Sequence, residues 1–191
     1  MTNAATVIPA TNNLAVGLGP FETAINFEKV IATINADVII GTSGADTIDG
    51  NLGADSFIGH GGADRLYAGA NLGSTGDGAI DMFRFDAATD SGITRATRDV
   101  IYQFEDALDK LEFSTLFDFN RVTASTQTPG SIGHFLNMNV AFDGTIGAIH
   151  AVQLGGQTIA ELDTNGDKIA NFSVALDGVH ALTSANFLFD I

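Results

Sequence analysis

Four aspartates, Asp37, Asp46, Asp55 and Asp64, recur at intervals of nine residues, and two places after each stands a large apolar side chain: Ile39, Ile48, Phe57 and Leu66. Written in nines from Ala32, the chain reads ATINADVII, GTSGADTID, GNLGADSFI and GHGGADRLY, and after an interruption a partial unit, AIDMFRF. Glycine fills the first and fourth places of three of the four units. A carboxylate in a glycine-rich turn is a hard oxygen donor among bare carbonyls, and calcium takes about six to eight such oxygens. The chemistry these residues can do is to hold a hard cation.

The elements that must position them follow from the same spacing. Glycine at fixed offsets marks backbone conformations or close approaches that a Cβ would obstruct, so the first six residues of each unit form a tight turn. The remaining three make a short strand with its middle side chain pointing inward. One unit cannot bury that side chain alone, whereas stacked units can, which is the logic of a solenoid. A flexible Gly/Asp-rich linker would share the composition but not the strict spacing of the apolar residues. If two units make one coil, turns eighteen residues apart stack, Asp37 near Asp55 and Asp46 near Asp64. Carboxylates held so close repel and raise one another's pKa unless a cation lies between them. Residues 68–78 (AGANLGSTGDG) break the period before Asp81 and Phe83 resume it. One enlarged turn would stack Asp81 over Asp55, and a degenerate unit inside the interruption would stack it over Asp64. The spacing leaves both open.

This pattern resembles the calcium-binding nonapeptide repeat of RTX proteins. The resemblance implies an all-β chain, a right-handed parallel β-roll over residues 30–85 with Ile39, Ile48, Phe57, Leu66 and Phe83 in its core. It also implies calcium as cofactor, about three ions or more, bound between stacked turns. In that family a lower turn gives carbonyls from its second and fourth places and its Asp, and the upper turn gives carbonyls from its first and third with its own Asp. Carried over, one site uses Thr33, Asn35, Asp37, Gly50, Leu52 and Asp55, and another Thr42, Gly44, Asp46, Gly59, Gly61 and Asp64. On the enlarged-turn reading a third lies between Asn51, Gly53, Asp55 and the turn ending at Asp81.

From Met82 onward the period is lost, and MFRFDAATDSGITRATRDVIYQFEDALDKLEFSTL resembles the segment after the repeats in the C-terminal domain of serralysin-type metalloproteases. That family's F-x-F strand, D-S loop, D-x-I-x-D-F strand and G-x-D-K-I-D-L-S strand correspond to Phe83–Phe85, Asp90-Ser91, Asp99–Phe104 and Ala107–Ser114. Gln103, Ala107 and Glu112 depart from the family's Asp, Gly and Asp. Asp99 and Asp109 remain as oxygen donors for a further cation or as simple turn residues. The last third reads as β-strands with Gly and Asn turns, with plain alternation over Asn171–Leu176. Asp163–Asp167 copies the start of an EF-hand loop, but Lys168 and Val174 stand where that loop needs Gly and Glu, so a hairpin turn is expected.

Three segments are expected: 1–29 an N-terminal tail and cap; 30–85 the roll; and 86–191 a serralysin-like β cap ending in a secretion signal, with residues 21–31, across the first boundary, forming a short helix and then a strand. The 191 residues carry 23 acidic against 8 basic side chains, a net charge of −15, so nucleic acid is not an expected partner and cations are. With 14 Phe the chain has material for a core despite 22 Gly, and no apolar run is long enough for membrane insertion. It has no Cys, and its N-terminus lacks the basic start and apolar stretch of a cleaved signal peptide. The four His form no H-E-x-x-H, and no G-x-S-x-G appears, so no enzyme activity is expected. The resemblance implies an extracellular module that leaves the cell through type I secretion machinery and folds on calcium. A polysaccharide- or surface-binding module, like the calcium rolls of alginate epimerases, is the alternative, and a divergent enzyme the third class.

Overall fold

A nine-residue unit whose turn consumes six leaves three for a strand, and three-residue strands are what the chain forms. The computed structural model describes residues 23–25, 29–69, 76–113, 116 and 134–189. Strands β1 (Thr23–Ile25) to β9 come in the order β2 (Lys29–Ile31), β3 (Val38–Ile40), β4 (Thr47–Asp49), β5 (Ser56–Ile58), β6 (Arg65–Tyr67), β7 (Met82–Arg84), β8 (Asp99–Tyr102) and β9 (Lys110–Glu112). Successive strands fall alternately into two sheets. The first has the order β1-β3-β5-β7-β9 with β14 (Phe187–Leu188) at its end, all parallel. The second begins β2-β4-β6-β8, also parallel, and continues through β13 (Phe172–Asp177), β12 (Gln157–Asp163), β11 (Ala148–Leu154) and β10 (His134–Met138). The β11-β12-β13 part is antiparallel, so the structure is a parallel β-roll extended on one side by hairpins. The fold class read from the repeat stands, and the described residues contain no α-helix, only a 3₁₀ turn at Ser184–Asn186.

Register explains the period. Val38 pairs with Ser56 and Thr47 with Arg65, eighteen residues apart, so two units make one coil. The eighth-place side chains thereby stack in two inward columns: Ile39, Phe57, Phe83, Leu111 and Phe187 in one sheet, Val30, Ile48, Leu66, Ile101 and Leu176 in the other. All are buried, with Phe57 and Phe83 stacked at 4.7 Å between ring centroids. Phe85, Phe113 and Phe172 close the column above them through edge and stacked contacts.

Three expectations change. Thr23–Ile25 is a strand, not a helix, because its backbone pairs with β3 as part of the first coil. The two ladders do not stop where the nine-residue period does: β8 and β9 continue them, since the strand and the Asp two places before its inward residue recur while only the turns lengthen. Alternation in β13 is overridden, Phe172 to Leu176 being buried on both faces. The loop after β7 covers its outer side, where the Ser91 hydroxyl donates to the Ser173 carbonyl (2.6 Å) and the Ser173 hydroxyl to the Gly92 carbonyl (2.9 Å). Residues 1–22, Asp190 and Ile191, with the expectations placed on them, lie outside the described residues.

Because Phe57 fills the centre of a column with no exposed surface, Phe57→Ala is expected to cost about 3–5 kcal/mol. Ile34→Ala, at a turn position 68% exposed, should stay within about 0.5 kcal/mol. Denaturant unfolding in saturating calcium measures both, and equal losses would show that the columns are not the core.

Candidate metal centre

The first two repeat turns are each tied to their own aspartate. The Thr33 amide and hydroxyl donate to Oδ2 of Asp37 at 2.8 and 2.7 Å, and the Thr42 amide donates to Oδ2 of Asp46 at 2.6 Å. This second-place to sixth-place bond draws the carboxylate back across the turn. The first-place glycine makes room for it: a Cβ on Gly59 would lie 2.3 Å from Oδ2 of Asp64, and one on Gly50 2.6 Å from Oδ2 of Asp55. The fourth-place glycine serves the stacking, since Gly62, at φ +143°, would drive a Cβ to 2.5 Å from the Gly44 carbonyl of the coil below.

The other carboxylate oxygen links one coil to the next. Oδ1 of Asp55 accepts the Asp37 amide at 2.8 Å, Oδ1 of Asp81 accepts the Asp55 amide at 2.8 Å, and Oδ1 of Asp109 accepts the Asp81 amide at 2.9 Å. On the opposite edge Oδ1 of Asp64 accepts the Asp46 amide and Oδ1 of Asp99 the Asp64 amide, each at 2.8 Å. Two aspartate ladders therefore run the length of the roll, Asp37-Asp55-Asp81-Asp109 and Asp46-Asp64-Asp99. The structure decides the question left open by spacing: Asp81 stacks over Asp55, and β7 pairs directly with β5. The place over Asp64 belongs to Asp99.

Around these carboxylates lie the other residues singled out by the repeat. Asn35, Gly44, Asn51, Gly53 and Gly61 sit in the turns, with Asn51 in the left-handed region at φ 70°. The Leu52 amide reaches the Thr33 carbonyl of the coil below at 3.4 Å, and a Cβ on Gly53 would meet the Asn35 carbonyl at 2.5 Å. Thr33, Asn35, Asp37, Gly50, Leu52 and Asp55 thus share one pair of stacked turns, and Thr42, Gly44, Asp46, Gly59, Gly61 and Asp64 the other. Among the described residues no three His, Asp or Glu side chains gather in metal-binding geometry. A cation between turns would accordingly take most of its oxygens from carbonyls, as hard-cation chemistry allows.

The electrostatics point the same way. Burial, and then neighbouring carboxylates, push the Asp55 and Asp64 carboxyls up to about 7, Asp81 to about 8, Asp99 to about 9 and Asp109 to about 6. Oδ1 of Asp37, Oδ2 of Asp64 and Oδ2 of Asp99 are buried without a hydrogen-bond partner. A buried, unpartnered carboxylate oxygen is costly by itself and is satisfied by a divalent cation. Glycine cradles, orphaned oxygens and a donor set of oxygens alone fit calcium.

Sequence reading missed four supporting groups. Asp77 accepts the Gly53 amide at 2.6 Å, and Glu105 accepts the Gly78 amide at 2.7 Å. The Glu105 amide donates to Oδ2 of Asp109 at 2.8 Å and the Asp86 amide to Oδ2 of Asp90 at 2.8 Å, each the same four-residue bond that shapes the repeat turns. Ser91 stands above Asp99, its hydroxyl accepting the Asp99 amide at 2.8 Å where another carboxylate would continue the ladder. For Asp77 and Glu105 the signal available was an acid four residues before a ladder Asp, Asp81 and Asp109. Asp163 is different: its carboxylate accepts the Asn165, Gly166 and Lys168 amides, which makes the 163–171 connection a hairpin turn built on one buried side chain.

Comparison with known proteins agrees with this geometry. The family profile described as the RTX calcium-binding nonapeptide repeat (4 copies) matches residues 31–71. Among solved structures, the AlgE6R2 subunit of the Azotobacter vinelandii mannuronan C5-epimerase is similar, with 25% identity, a TM-score of 0.52, and coverage of 90% of this chain and 92% of its own. The AlgE6R3 subunit of the same enzyme is 24% identical over 83% of this chain and 81% of its own, at a TM-score of 0.36 too low to carry an argument. No curated protein matches. The chain therefore carries RTX calcium-binding repeats in a fold like that of an epimerase R subunit.

Raised carboxyl pKa values make the calcium-free fold a proton binder. An unfolded Asp titrates near about 3.9, and Asp55, Asp64, Asp81, Asp99 and Asp109 in the folded chain between about 6 and about 9, so the folded state holds more protons across that interval. Stability without calcium is then greatest below about pH 4 and declines as pH rises towards 9. In calcium-free buffer the folded fraction read by circular dichroism should therefore grow as pH falls from 7 to 5, and saturating calcium should keep the chain folded across that range. A calcium-free folded fraction that shrinks as pH falls would contradict the buried ladder.

Proposed function

We propose that the chain is a non-catalytic module of an extracellular protein whose folding is switched on by calcium. The observation that carries the proposal is the pair of aspartate ladders, in which buried carboxylates are placed on top of one another with oxygens left unpartnered. One ion lies between the Thr33–Asp37 and Gly50–Asp55 turns and another between the Thr42–Asp46 and Gly59–Asp64 turns. A third lies between the Asn51–Asp55 turn and the turn ending at Asp81. Asp99 and Asp109 extend the same arrangement one level further, over Asp64 and Asp81. Each ion removes two units of negative charge, so three take the chain from −15 to −9 and relieve the repulsion that opposes compaction.

The switch suits export. Inside the cell, where calcium is scarce, the repelling ladder keeps the chain threadable through type I secretion machinery, and at roughly millimolar extracellular calcium it folds. The resemblance of residues 82–116 to the serralysin C-terminal domain supports this route, with the signal in the last six residues, 186–191. Phe187 and Leu188 also form the last strand of the first sheet, so the signal becomes part of the roll once folding is complete. The likeness to a subunit of a mannuronan C5-epimerase supports a second reading, a module that binds polysaccharide beside a catalytic partner.

Circular dichroism during a calcium titration tests the switch: a largely unstructured spectrum in chelator should turn cooperatively into a β spectrum. A folded spectrum in chelator at neutral pH would overturn it. Asp55 stands inside its ladder and Asp37 at the lower end of its described part, so Asp55→Ala should raise the calcium midpoint on the order of tenfold or more and Asp37→Ala less. Deleting residues 186–191 should abolish export by a type I exporter, and undiminished export would refute the terminal signal.

A further inference from the structure

The chain's few cations are not spread evenly. Of 8 Lys and Arg against 23 Asp and Glu, Arg65, Arg95 and Arg98 line one cleft of about 320 Å³ together with Tyr102, Gln157 and Asp64. Arg95, Arg98 and Gln157 also line an adjoining cleft of about 250 Å³, open towards the Gly155-Gly156 hairpin tip with Asp177 at its far side. The two spaces share a wall and form one elongated groove. It lies on the outer face of the second sheet, between β6–β8 and the overhanging loop of residues 91–98.

With nearly three acids to every base, a cation chosen at random has carboxylates near it. Yet among the described residues none of these three arginines is in a salt bridge, while Arg84 pairs with Asp86 at 2.6 Å. Arg98 gives its Nη2 to the Ile93 carbonyl and leaves Nε buried without a partner. Burial lowers its pKa, so a counter-anion in the groove would recover what desolvation costs. Glu161, the carboxylate that acts on Arg98, is itself held by Nε2 of His150 at 2.8 Å. Beside the arginines the rings of Tyr67 and Tyr102 stack at 4.5 Å with 10° between planes, partly exposed on the same sheet face.

We propose that this groove binds an acidic oligosaccharide, its sugar carboxylates paired with Arg65, Arg95 and Arg98 and a sugar ring laid against the Tyr67–Tyr102 pair. The proposal rests on the polysaccharide-binding reading above and gives it a site. A guanidinium fork matches a carboxylate with two parallel hydrogen bonds, and an aromatic ring offers a flat apolar face with a polar edge. Elongation suits more than one sugar. Three arginines on a chain of net charge −15 cannot hold duplex nucleic acid, with about one charge per 1.7 Å, but they suit a polymer with one carboxylate per ring. Asp64 is common to the groove and the second ladder, so calcium on that ladder removes the negative charge nearest the arginines, and binding should need calcium.

Calorimetric titration of the calcium-loaded full chain with a mannuronate hexamer at low salt tests this, with a glucose hexamer and a hexaglutamate peptide as controls. The mannuronate oligomer should bind, more weakly as salt rises, and the two controls should not. The Arg65→Ala/Arg95→Ala double variant should weaken binding by about tenfold or more, with its calcium-induced circular dichroism change intact. Should Arg65→Ala disturb the neighbouring Asp64 turn, Arg95→Glu on the exposed loop gives the same readout. Equal binding of the neutral hexamer or the peptide, or unchanged affinity in these variants, would overturn the proposal. A chain that binds the oligomer with unchanged affinity in the arginine variants fails the groove alone, whereas a calcium-folded chain that ignores the oligomer fails the polysaccharide-binding reading as well.

Discussion

A buried carboxylate that accepts the backbone amide of the aspartate one coil below is the contact on which the rest of this molecule depends. It fixes the vertical spacing of the coils, because Oδ1 must reach the lower amide while Oδ2 stays in its own turn. The same contact buries carboxylates beside one another, so desolvation first and like charge second raise Asp81 to about 8 and Asp99 to about 9. A structure organised in this way is conditionally stable. It needs protons or divalent cations on its ladders, and which of the two is present sets when it folds.

The hydrophobic columns and the ladders are two faces of one spacing. Asp in the sixth place and an apolar residue in the eighth lie two residues apart, so a strand that starts just after the Asp sends its middle side chain into the core. Each coil adds one apolar side chain to each column and one carboxylate to each ladder. Burial of Phe57, Phe83 and Leu111 is thereby tied to the stacking of Asp55, Asp81 and Asp109. Stacking of one favours stacking of the other, and cooperativity along the roll follows from that coupling.

Charge is sorted on a larger scale as well. Acidic side chains concentrate at the turns, where a cation can answer them, and the outer face of the second sheet collects Arg65, Arg95 and Arg98 with two stacked tyrosines. The loop of residues 91–98 brings this about. Ser91 is anchored on β13 and caps Asp99, and the rest of the loop projects over the sheet with its arginines. A residue that ends one ladder thus also shapes the groove beside it.

The nonapeptide spacing by itself determined a stack of turns and short strands with Ile39, Ile48, Phe57 and Leu66 inward, the resemblance to RTX repeats made it a parallel roll, and two units per coil paired Asp37 with Asp55 and Asp46 with Asp64. The inward residues and the pairings depend only on a fixed number of residues per coil. Beyond Phe85 the ladder-forming Asp and its apolar partner persist as Asp99 with Ile101 and Asp109 with Leu111. The turns between them vary in length, so counting could not say which rung each joined. Only the tertiary structure placed Asp81 over Asp55 and Asp99 over Asp64, because strand pairing and core packing set the vertical position whatever the length of the turn. Asp77 and Glu105 were invisible for the same reason, each reaching an amide 24 or 27 residues away. The arginine groove joins residues 65, 95, 98 and 157, which no local pattern relates, and it exists because one loop folds back over a sheet built from distant strands.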